Sequence, residues 1–270
     1  MPLLFDSVLR TAGFPDNVSC YQDIIAAHGD DQVIKGLMSL AISRTDQYDT
    51  LRLKGIRRDS NCLRAASLSR PDCPIEALFV PGRSHACALI DLTLGYEGYR
   101  KTWSRNFRHN MNRVSNKARR DGFLVRELTP SDIPPRHLPD EFLLLHLSRF
   151  REDSVFIDLE SFFEKLYPIL FAERRMRVFA LFRHDQIVGM HLSMVGYKRL
   201  FGWNGGFLPD VHSWAPGRLL FDEEVRQACA EGLEEFDFWV EYETAYKADW
   251  KTGVHQIGWL EFNTSTRRLL

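Results

Sequence analysis

The sequence predicts an α/β fold in which a mixed β-sheet is flanked by helices. Segments with helical periodicity alternate along the chain with shorter segments of strand character. The unbroken apolar run at 178–182 is followed by a short polar stretch and a second strand at 187–197, which indicates an antiparallel hairpin within the sheet. The 270 residues, of which 44% are hydrophobic, are enough to bury one large core or two smaller ones.

The first part of the chain predicts too few strands for a complete sheet. Apolar residues at helical spacing over 31–42 predict an amphipathic helix, and alternation over 50–56 predicts a strand. Helix-capping side chains follow at 59–61. Three prolines and a glycine then fall between residues 67 and 83, which is typical of a connection between domains. We therefore expect a first unit at 1–83 and a second at 84–270.

The second unit contains most of the predicted sheet. Its segments are a strand at 86–92, an arginine-rich helix or helix pair at 98–121, a strand at 123–128, helices at 142–150 and 159–170, strands at 178–182, 187–197 and 200–203, a helix at 216–232, and strands at 236–240 and 257–262. Pro168 predicts a kink or a restart within the helix at 159–170.

Charge and cysteine usage exclude several classes of protein. The 35 basic residues nearly cancel the 36 acidic residues, so no global field draws the chain onto nucleic acid or anionic lipid. The five cysteines are widely spaced without a Cys-x-x-Cys pair, which indicates a reducing compartment and no structural zinc. The first residues lack a signal-peptide pattern, and no window approaches the ~20 apolar residues of a membrane span. We expect a soluble, cytoplasmic protein without a metal.

Three segments, in this order, resemble the GNAT superfamily of acyltransferases. They are the basic helix around Ser104, Arg108 and Arg113, the turn Ala215-Pro216-Gly217-Arg218-Leu219-Leu220, and Phe236-Asp237-Phe238 followed by Tyr246-Lys247-Ala248-Asp249-Trp250. The resemblance covers residues 88–262 and lies in the branch of the cellulose-biosynthesis acetyltransferase-like and Fem-type transferases. It implies a mostly antiparallel GNAT-like sheet at 84–270, preceded at 1–83 by a partial, degenerate second GNAT-like unit.

The same resemblance implies an activity. The expected reaction is direct transfer of an acyl group, such as acetyl, from acyl-CoA to an amine or hydroxyl of a small-molecule, saccharide or peptide acceptor, with no covalent enzyme intermediate. Two alternatives stay open. One is a Fem-like transferase that uses aminoacyl-tRNA, and the other is a degenerate GNAT fold kept as a binding protein.

The turn at Pro216 and Gly217 is the candidate donor site. Glycine lets a ligand approach the backbone, and unpaired N–H groups at a helix start favour phosphate. The resemblance implies that this turn, with Ala215, Arg218 and Leu219, binds the pyrophosphate of coenzyme A. An ordinary helix start with proline in its first turn is the alternative.

Residues 101–120 contain seven basic side chains and no acidic one. We select Arg105, Arg108 and Arg113 as substrate-binding candidates, for an anionic substrate, a coenzyme phosphate or a tRNA backbone. A solvated helix face explains the same pattern. Trp103 and Phe107 are expected to anchor this helix to the core.

The strand at 187–195 has one face with unusual polarity. Alternation places Gly189, His191 and Ser193 on one side, with Val188, Met190 and the following apolar residues on the other. His191 is the candidate general base, since an imidazole can take a proton from an amine near neutral pH. A hydrogen-bonded structural histidine is the alternative. Ser193 and Asn204 are candidates for substrate contact.

A second group of titratable residues follows the strand at 236–240. Glu241, Tyr246 and Lys247 collect there and complete the list of catalytic candidates. They could deprotonate or bind the acceptor. Alternatively, the Tyr246 and Lys247 pair forms hydrogen bonds that fix the last strands.

Overall fold

The structure is a computed structural model that describes residues 4–6, 11–13, 23–24, 30–44, 47–69, 85–154, 156, 160–240 and 245–263. The helices are α1 (Asp31–Ser43), α2 (Asn61–Ser69), α3 (Gly95–Thr102), α4 (Arg105–Arg120), α5 (Leu138–Phe150), α6 (Glu160–Ala172), α7 (Pro216–Ala230) and α8 (Ala245–Ala248). The strands are β1 (Leu4–Asp6), β2 (Thr11–Gly13), β3 (Thr50–Arg57), β4 (His85–Asp91), β5 (Phe123–Leu128), β6 (Met176–Arg183), β7 (Gln186–Gly196), β8 (Arg199–Phe207), β9 (Glu235–Val240) and β10 (Gly253–Asn263).

The chain divides into two compact units. Within the described residues, one is drawn from Met1–Cys87, Val240–Tyr242 and Val254–Leu270, and the other from Ala88–Trp239 and Glu243–Gly253. The C-terminal strand β10, from Val254 onward, therefore belongs to the first unit. We expected it in the second. The physical reason is its antiparallel pairing with β3, in which Ile257 lies opposite Arg57 and Asn263 opposite Thr50.

The first unit orders its strands β1-β2-β3-β10. Helix α1 begins after Asp30, whose side chain accepts a hydrogen bond from the Val33 N–H. Ile34 and Met38 of α1 are buried in a core shared with Leu51 and Leu260. The helix predicted at 31–42 and the strand predicted at 50–56 are thus confirmed. The assignment of this unit as a degenerate GNAT-like unit stays a prediction.

The second unit orders its strands β4-β9-β8-β7-β6-β5. The pairs β5–β6, β6–β7 and β7–β8 are antiparallel, and β8–β9 is parallel. The predicted central hairpin is confirmed, because Val178 lies opposite Leu192 in the β6–β7 register. The mixed, mostly antiparallel sheet with flanking helices is the predicted fold class.

Helices cover both faces of this sheet. Phe142 of α5 and Tyr167 of α6 pack with Val178 and Met190 in one cluster. Ala118 of α4 and Leu220 of α7 pack with Phe179 and Leu181 in another. Each helix therefore stabilises the sheet through its apolar stripe, as amphipathic helices do on an open sheet.

Two helix predictions needed refinement. The arginine-rich segment is a helix pair, because α3 ends at Thr102 and the Ser104 side chain caps α4 by accepting from the Phe107 N–H. Helix α6 continues through Pro168 without a restart, and the packing of Phe163, Tyr167 and Phe171 holds the helix together there. A kink at this proline stays a prediction. Every helix in the described residues is too short or too polar to cross a bilayer.

A bulge in β7 overturns one predicted side-chain orientation. Phe182 pairs with Ile187 and Leu181 pairs with Gly189, so Val188 is an extra residue in the strand. Val188 therefore packs in the cluster of Phe179 and Leu181 and does not share the face of Met190.

A second bulge lies in β8. Ser193 pairs with Gly202 and Leu192 pairs with Asn204, which leaves Trp203 as the extra residue. The parallel register of β8 with β9 covers Arg199–Phe201 and Glu235–Asp237. Beyond this pairing, the remaining residues of β8 and Phe238 of β9 line a common cavity.

Candidate functional site

The cavity where β8 and β9 part is the candidate site, and it has a volume of about 440 Å³. It lies within the second unit. Its walls come from the end of α5, β7, β8, the start of α7, Phe238, Lys247 and Trp250. Apolar and aromatic walls with a few convergent polar groups are typical of small-molecule sites.

The cavity brings together several of the predicted site residues. His191, Asn204, the turn Ala215–Arg218 and Lys247 line it. Ser193 is fully buried beside His191 and does not line the cavity. Leu219 also lies outside the lining, because its side chain packs in the core with Ala118.

His191 is held by a buried acid. Its Nδ1 lies 2.7 Å from Oε2 of Glu224 on α7, and the Ser193 hydroxyl lies 3.4 Å from the same nitrogen. Glu224 is 0% exposed and His191 is 7% exposed. The imidazole meets the ring of Phe221 edge-on, with 4.5 Å between centroids. Among the described residues, Nε2 has no hydrogen-bond partner.

Two glycines of β8 make room for the imidazole. A β-carbon on Gly202 would lie 3.5 Å from Cε1 of His191, and one on Gly205 would lie 3.1 Å from Cδ2. Nε2 is bonded to both of these ring carbons. Side chains at these two positions would therefore crowd the Nε2 end of the ring, and glycine leaves that end clear.

The far side of β8 is fixed by α5. A β-carbon on Gly206 would fall 2.4 Å from the backbone nitrogen of His146, so only glycine permits this approach. The His146 ring is buried against Phe142, Phe150 and Phe156, and its Nδ1 lies 3.2 Å from the Gly205 carbonyl oxygen. Burial lowers the pKa of His146 to about 4. This histidine is therefore neutral at pH 7 and ties α5 to the strand.

The start of α7 differs from the simple strand-to-helix turn that the sequence suggested. A short 3-10 helix, Pro209–Trp214, precedes it, and Ala215 adopts a left-handed conformation with φ 50°. The N–H groups of Arg218 and Leu219 both donate to the Ala215 carbonyl oxygen, at 2.9 and 3.3 Å. The Leu219 bond is the ordinary first bond of the helix, whereas the Arg218 bond pairs one N–H group that a helix start usually leaves free. In the described part of the chain, the Gly217 N–H has no partner, and no atom lies within 4 Å of a β-carbon placed there.

Two cationic side chains of the lining have partners. Arg218 forms an ion pair with Asp249 at 3.7 Å and lies over the Phe107 ring. Lys247 is 8% exposed, and its ammonium donates to the Phe238 carbonyl oxygen at 3.1 Å. This bond ties α8 to β9 where the cavity opens, which agrees with the structural alternative for Lys247. The Asn204 side-chain oxygen accepts from the Gly205 N–H at 2.8 Å.

The remaining catalytic candidates stay predictions. Glu241 lies outside the described residues, and the side chain of Tyr246 is likewise not described, although its backbone belongs to α8.

Helix α4 separates its apolar and basic residues cleanly. Phe107 and Met111 are buried, and the anchoring role predicted for Trp103 and Phe107 is confirmed by edge-on contacts of both rings with Trp250. The arginine candidates of this helix, Arg105, Arg108 and Arg113, are exposed and do not line the cavity. We call these three arginines the basic face of α4.

Glu224 is the site residue that sequence reasoning missed. It lies four residues after Leu220 and four before Ala228, and both are buried on α7. An acid within the apolar stripe of a helix was the available signal. The neighbouring acids Asp222 and Glu223 hid it, because the three together look like a solvated helix face.

The mixed, mostly antiparallel sheet with helices on both faces is a fold of the GNAT type. A family model described as acetyltransferase (GNAT) domain matches residues 105–251, more than half of the chain. The chain therefore belongs to this family. A comparison with curated proteins gives no match.

Solved structures with the same fold differ widely in sequence. The C-terminal domain of a putative lysylphosphatidylglycerol synthetase from Agrobacterium fabrum has a TM-score of 0.60 and 14% identity, covering 96% of this chain and 82% of that one. FemX has a TM-score of 0.62 and 10% identity, covering 94% and 82%. L-PGS from Bacillus licheniformis has a TM-score of 0.61 and 13% identity, covering 99% and 82%. At these identities the similarity concerns the fold alone.

Proposed function

We propose that this protein transfers an acyl group, such as acetyl, from acyl-CoA directly to an amine or hydroxyl acceptor. The observation that carries the proposal is the cavity between β8 and β9, which contains both the His191 imidazole and the start of α7. A proton acceptor and a phosphate-compatible helix start are the two parts that direct acyl transfer needs. Membership of the GNAT family supports the same reaction.

In the proposed reaction the donor pyrophosphate lies against the Gly217 N–H, with Arg218 adding positive charge. The acceptor nitrogen or oxygen attacks the thioester carbonyl carbon, and the carbon–sulfur bond breaks. The acceptor proton passes to Nε2 of His191, and the departing thiolate of coenzyme A then takes up a proton. The acceptor class, a saccharide or peptide, and a place in polysaccharide biosynthesis rest on the resemblance to the cellulose-biosynthesis branch.

A specific observation favours a second candidate, a Fem-like transferase that uses aminoacyl-tRNA. The basic face of α4 is exposed and lies outside the cavity. It could therefore contact the phosphates of a tRNA while the aminoacyl end of that tRNA lies in the cavity. The fold similarity to FemX is consistent with this candidate.

Parallel titrations test both candidates. Acetyl-CoA, free CoA and aminoacyl-tRNA are added to separate samples, and binding is followed by calorimetry and by thermal shift. Ligand at 100 times its Kd should stabilise the protein by about 2.7 kcal/mol. We expect binding of both CoA species. Binding of tRNA alone would favour the second candidate, and binding of neither would favour a degenerate fold that has kept only a binding role.

Turnover is measured as release of free CoA thiol from acetyl-CoA in the presence of a panel of amines, amino sugars and peptides. We expect release that depends on an acceptor. CoA binding without any acceptor-dependent release across the panel would argue against the enzymatic role.

A further inference from the structure

Glu224 is a fully buried acid that contacts His191, the histidine in the lining of the cavity. It is 0% exposed on α7, with Oε2 at 2.7 Å from Nδ1 of His191. Its other oxygen, Oε1, is buried and has no hydrogen-bond partner among the described residues. The reaction proposed above gives Glu224 no role in binding or in proton transfer.

The burial of this acid is energetically unfavourable unless interactions in the folded protein compensate it. A buried carboxylate loses its hydration, and an acceptor oxygen without a partner adds a further cost. An apolar residue would complete the stripe formed by Leu220 and Ala228 more favourably. Such unfavourable buried acids are frequent where a site needs a fixed charge.

The contact determines the state of the imidazole. When the Glu224 carboxylate is ionised it can only accept hydrogen bonds, and Nδ1 of His191 then carries the proton that the two groups share. In the neutral ring this leaves Nε2 with a lone pair. The hydrogen bond to Glu224 and the edge-on contact with the Phe221 ring hold the imidazole in this orientation.

We propose that Glu224 is the positioning residue of the site: it holds the proton on Nδ1 of His191, presents the basic Nε2 to the acceptor, and stabilises the imidazolium after proton transfer. This role rests on the proposed function, in which His191 is the general base. It adds a requirement that the proposed function does not contain, namely that the acid on α7 sets the tautomer.

Two other charged groups matter for the pair of Glu224 and His191, and both have partners. On β6, Arg177 forms ion pairs with Glu127 at 2.6 Å and Glu231 at 2.9 Å, and it interacts electrostatically with Glu224. On β9, Asp237 is fully buried and has a partner of its own. These groups are unchanged in the variants below, and the electrostatic interaction of Arg177 with Glu224 is weakened only in E224Q.

The kinetic test is Glu224→Gln, with Glu223→Gln as the matched control on the same helix. Glu223 bonds Arg226 and Gln227 and does not line the cavity. With acetyl-CoA and the best acceptor of the panel, E224Q should lower kcat at least about 10-fold and leave the KM for acetyl-CoA within about twofold. Its pH–rate profile should also differ from that of the unmodified protein, because the imidazolium loses its counter-charge. E223Q should change none of these.

A conservative variant and a spectroscopic readout make the test independent of folding and of turnover. Glu224→Asp keeps the charge and should recover part of the lost kcat. Nitrogen-15 NMR of the unmodified protein at neutral pH should show His191 protonated at Nδ1 and bare at Nε2, with the signals assigned by their loss in His191→Gln. Protonation at Nε2 in the unmodified protein would overturn the proposal.

The outcomes separate this inference from the proposed function. If H191Q keeps full turnover, the general-base role itself fails. If H191Q is inactive while E224Q retains both its rate and its pH profile, only the role of Glu224 is wrong.

Discussion

Helix α4 and strand β7 treat their polar residues in opposite ways. The basic face of α4 presents three arginines to solvent, whereas β7 directs one histidine into a cavity and pairs it with a fully buried acid. Exposed charges are screened and contribute little to stability, while a buried pair is strongly coupled to its surroundings. The many charges of α4 therefore lie at the surface, whereas the candidate site contains a few charged groups that are buried.

The largest expected effect separates two histidines of these regions. His191→Gln should lower the acetyl transfer rate by about 10²- to 10⁴-fold, the usual contribution of general acid–base catalysis. His109→Gln on the exposed side of α4 is the control and should leave the rate within about twofold. Rates are measured by CoA release, with melting temperatures to confirm folding. Equal losses of transfer rate in His191→Gln and His109→Gln would show that the buried histidine of β7 is no more important for the reaction than the exposed histidine of α4.

A third histidine sharpens the comparison, because it is buried without an acid. Burial lowers the pKa of His146 to about 4, below its ordinary value, so the folded protein binds this proton less tightly than the unfolded chain. Stability from this group is therefore complete above about pH 6.5 and is lost as the pH falls towards 4. Between pH 7 and pH 5 the loss should be about 2 kcal/mol.

Urea unfolding at the two pH values measures this effect. His146→Asn can still donate to the Gly205 carbonyl oxygen but does not titrate, so its unfolding free energy should lose about 2 kcal/mol less than that of the unmodified protein. The same pH dependence in both proteins would mean that His146 is not the group responsible.

The next effect concerns the start of α7. Gly217→Val should lower the affinity for acetyl-CoA at least ~10-fold, about 1.4 kcal/mol, because a branched side chain would stand where the pyrophosphate approaches backbone. The protein should still fold, since no atom lies within 4 Å of the added β-carbon. Calorimetry gives the affinity.

Gly36→Val is the matched control for this variant. Gly36 also lies in a helix and has open space at its β-carbon, but it belongs to the first unit. Donor affinity should be unchanged in this variant. If Gly217→Val also binds acetyl-CoA and aminoacyl-tRNA normally, the turn is not the phosphate site.

The smallest effect on stability is expected on α4. Replacing Arg105, Arg108 and Arg113 together by glutamine should change the unfolding free energy by less than about 1 kcal/mol, although Arg108 donates to the carbonyl oxygens of Lys101 and Trp103. Binding of a polyanion such as tRNA should weaken and lose part of its salt dependence. Collapse of the melting transition with unchanged tRNA affinity would make the basic face structural.

The fold was predictable from the sequence because periodicity reports burial directly. The hairpin of β6 and β7 and the helix at α1 follow from patterns within ten or so residues. The bulge at Val188 did not follow, because a single extra residue changes the facing of a strand without changing its composition. The pairing of β10 with β3 depends on contacts some 200 residues apart, which no local pattern reports.

The site was predictable only in part. His191 was selected because a polar face is unusual on a central strand, and the turn at Gly217 was selected from the family resemblance and from its position at a helix start. Glu224 was not, since its burial depends on how α7 packs against β7. The left-handed conformation of Ala215 at the start of α7 was not predictable either, because alanine rarely adopts it.

The extra residue Trp203 determines what a change of length would do to β8. Gly202 and Gly205 are three positions apart, yet both face His191, which regular strand alternation forbids. The bulge reconciles the two, because it adds one residue while Asn204 still pairs with Leu192 and Gly202 with Ser193. Deletion of Trp203 would therefore return the strand to regular alternation and keep Gly205 on the face of His191. Deletion of a residue outside the bulge has no such compensation and would turn over the rest of the strand. Among chains that each lack one residue of β8, we therefore expect the site to survive only in those shortened at the bulge.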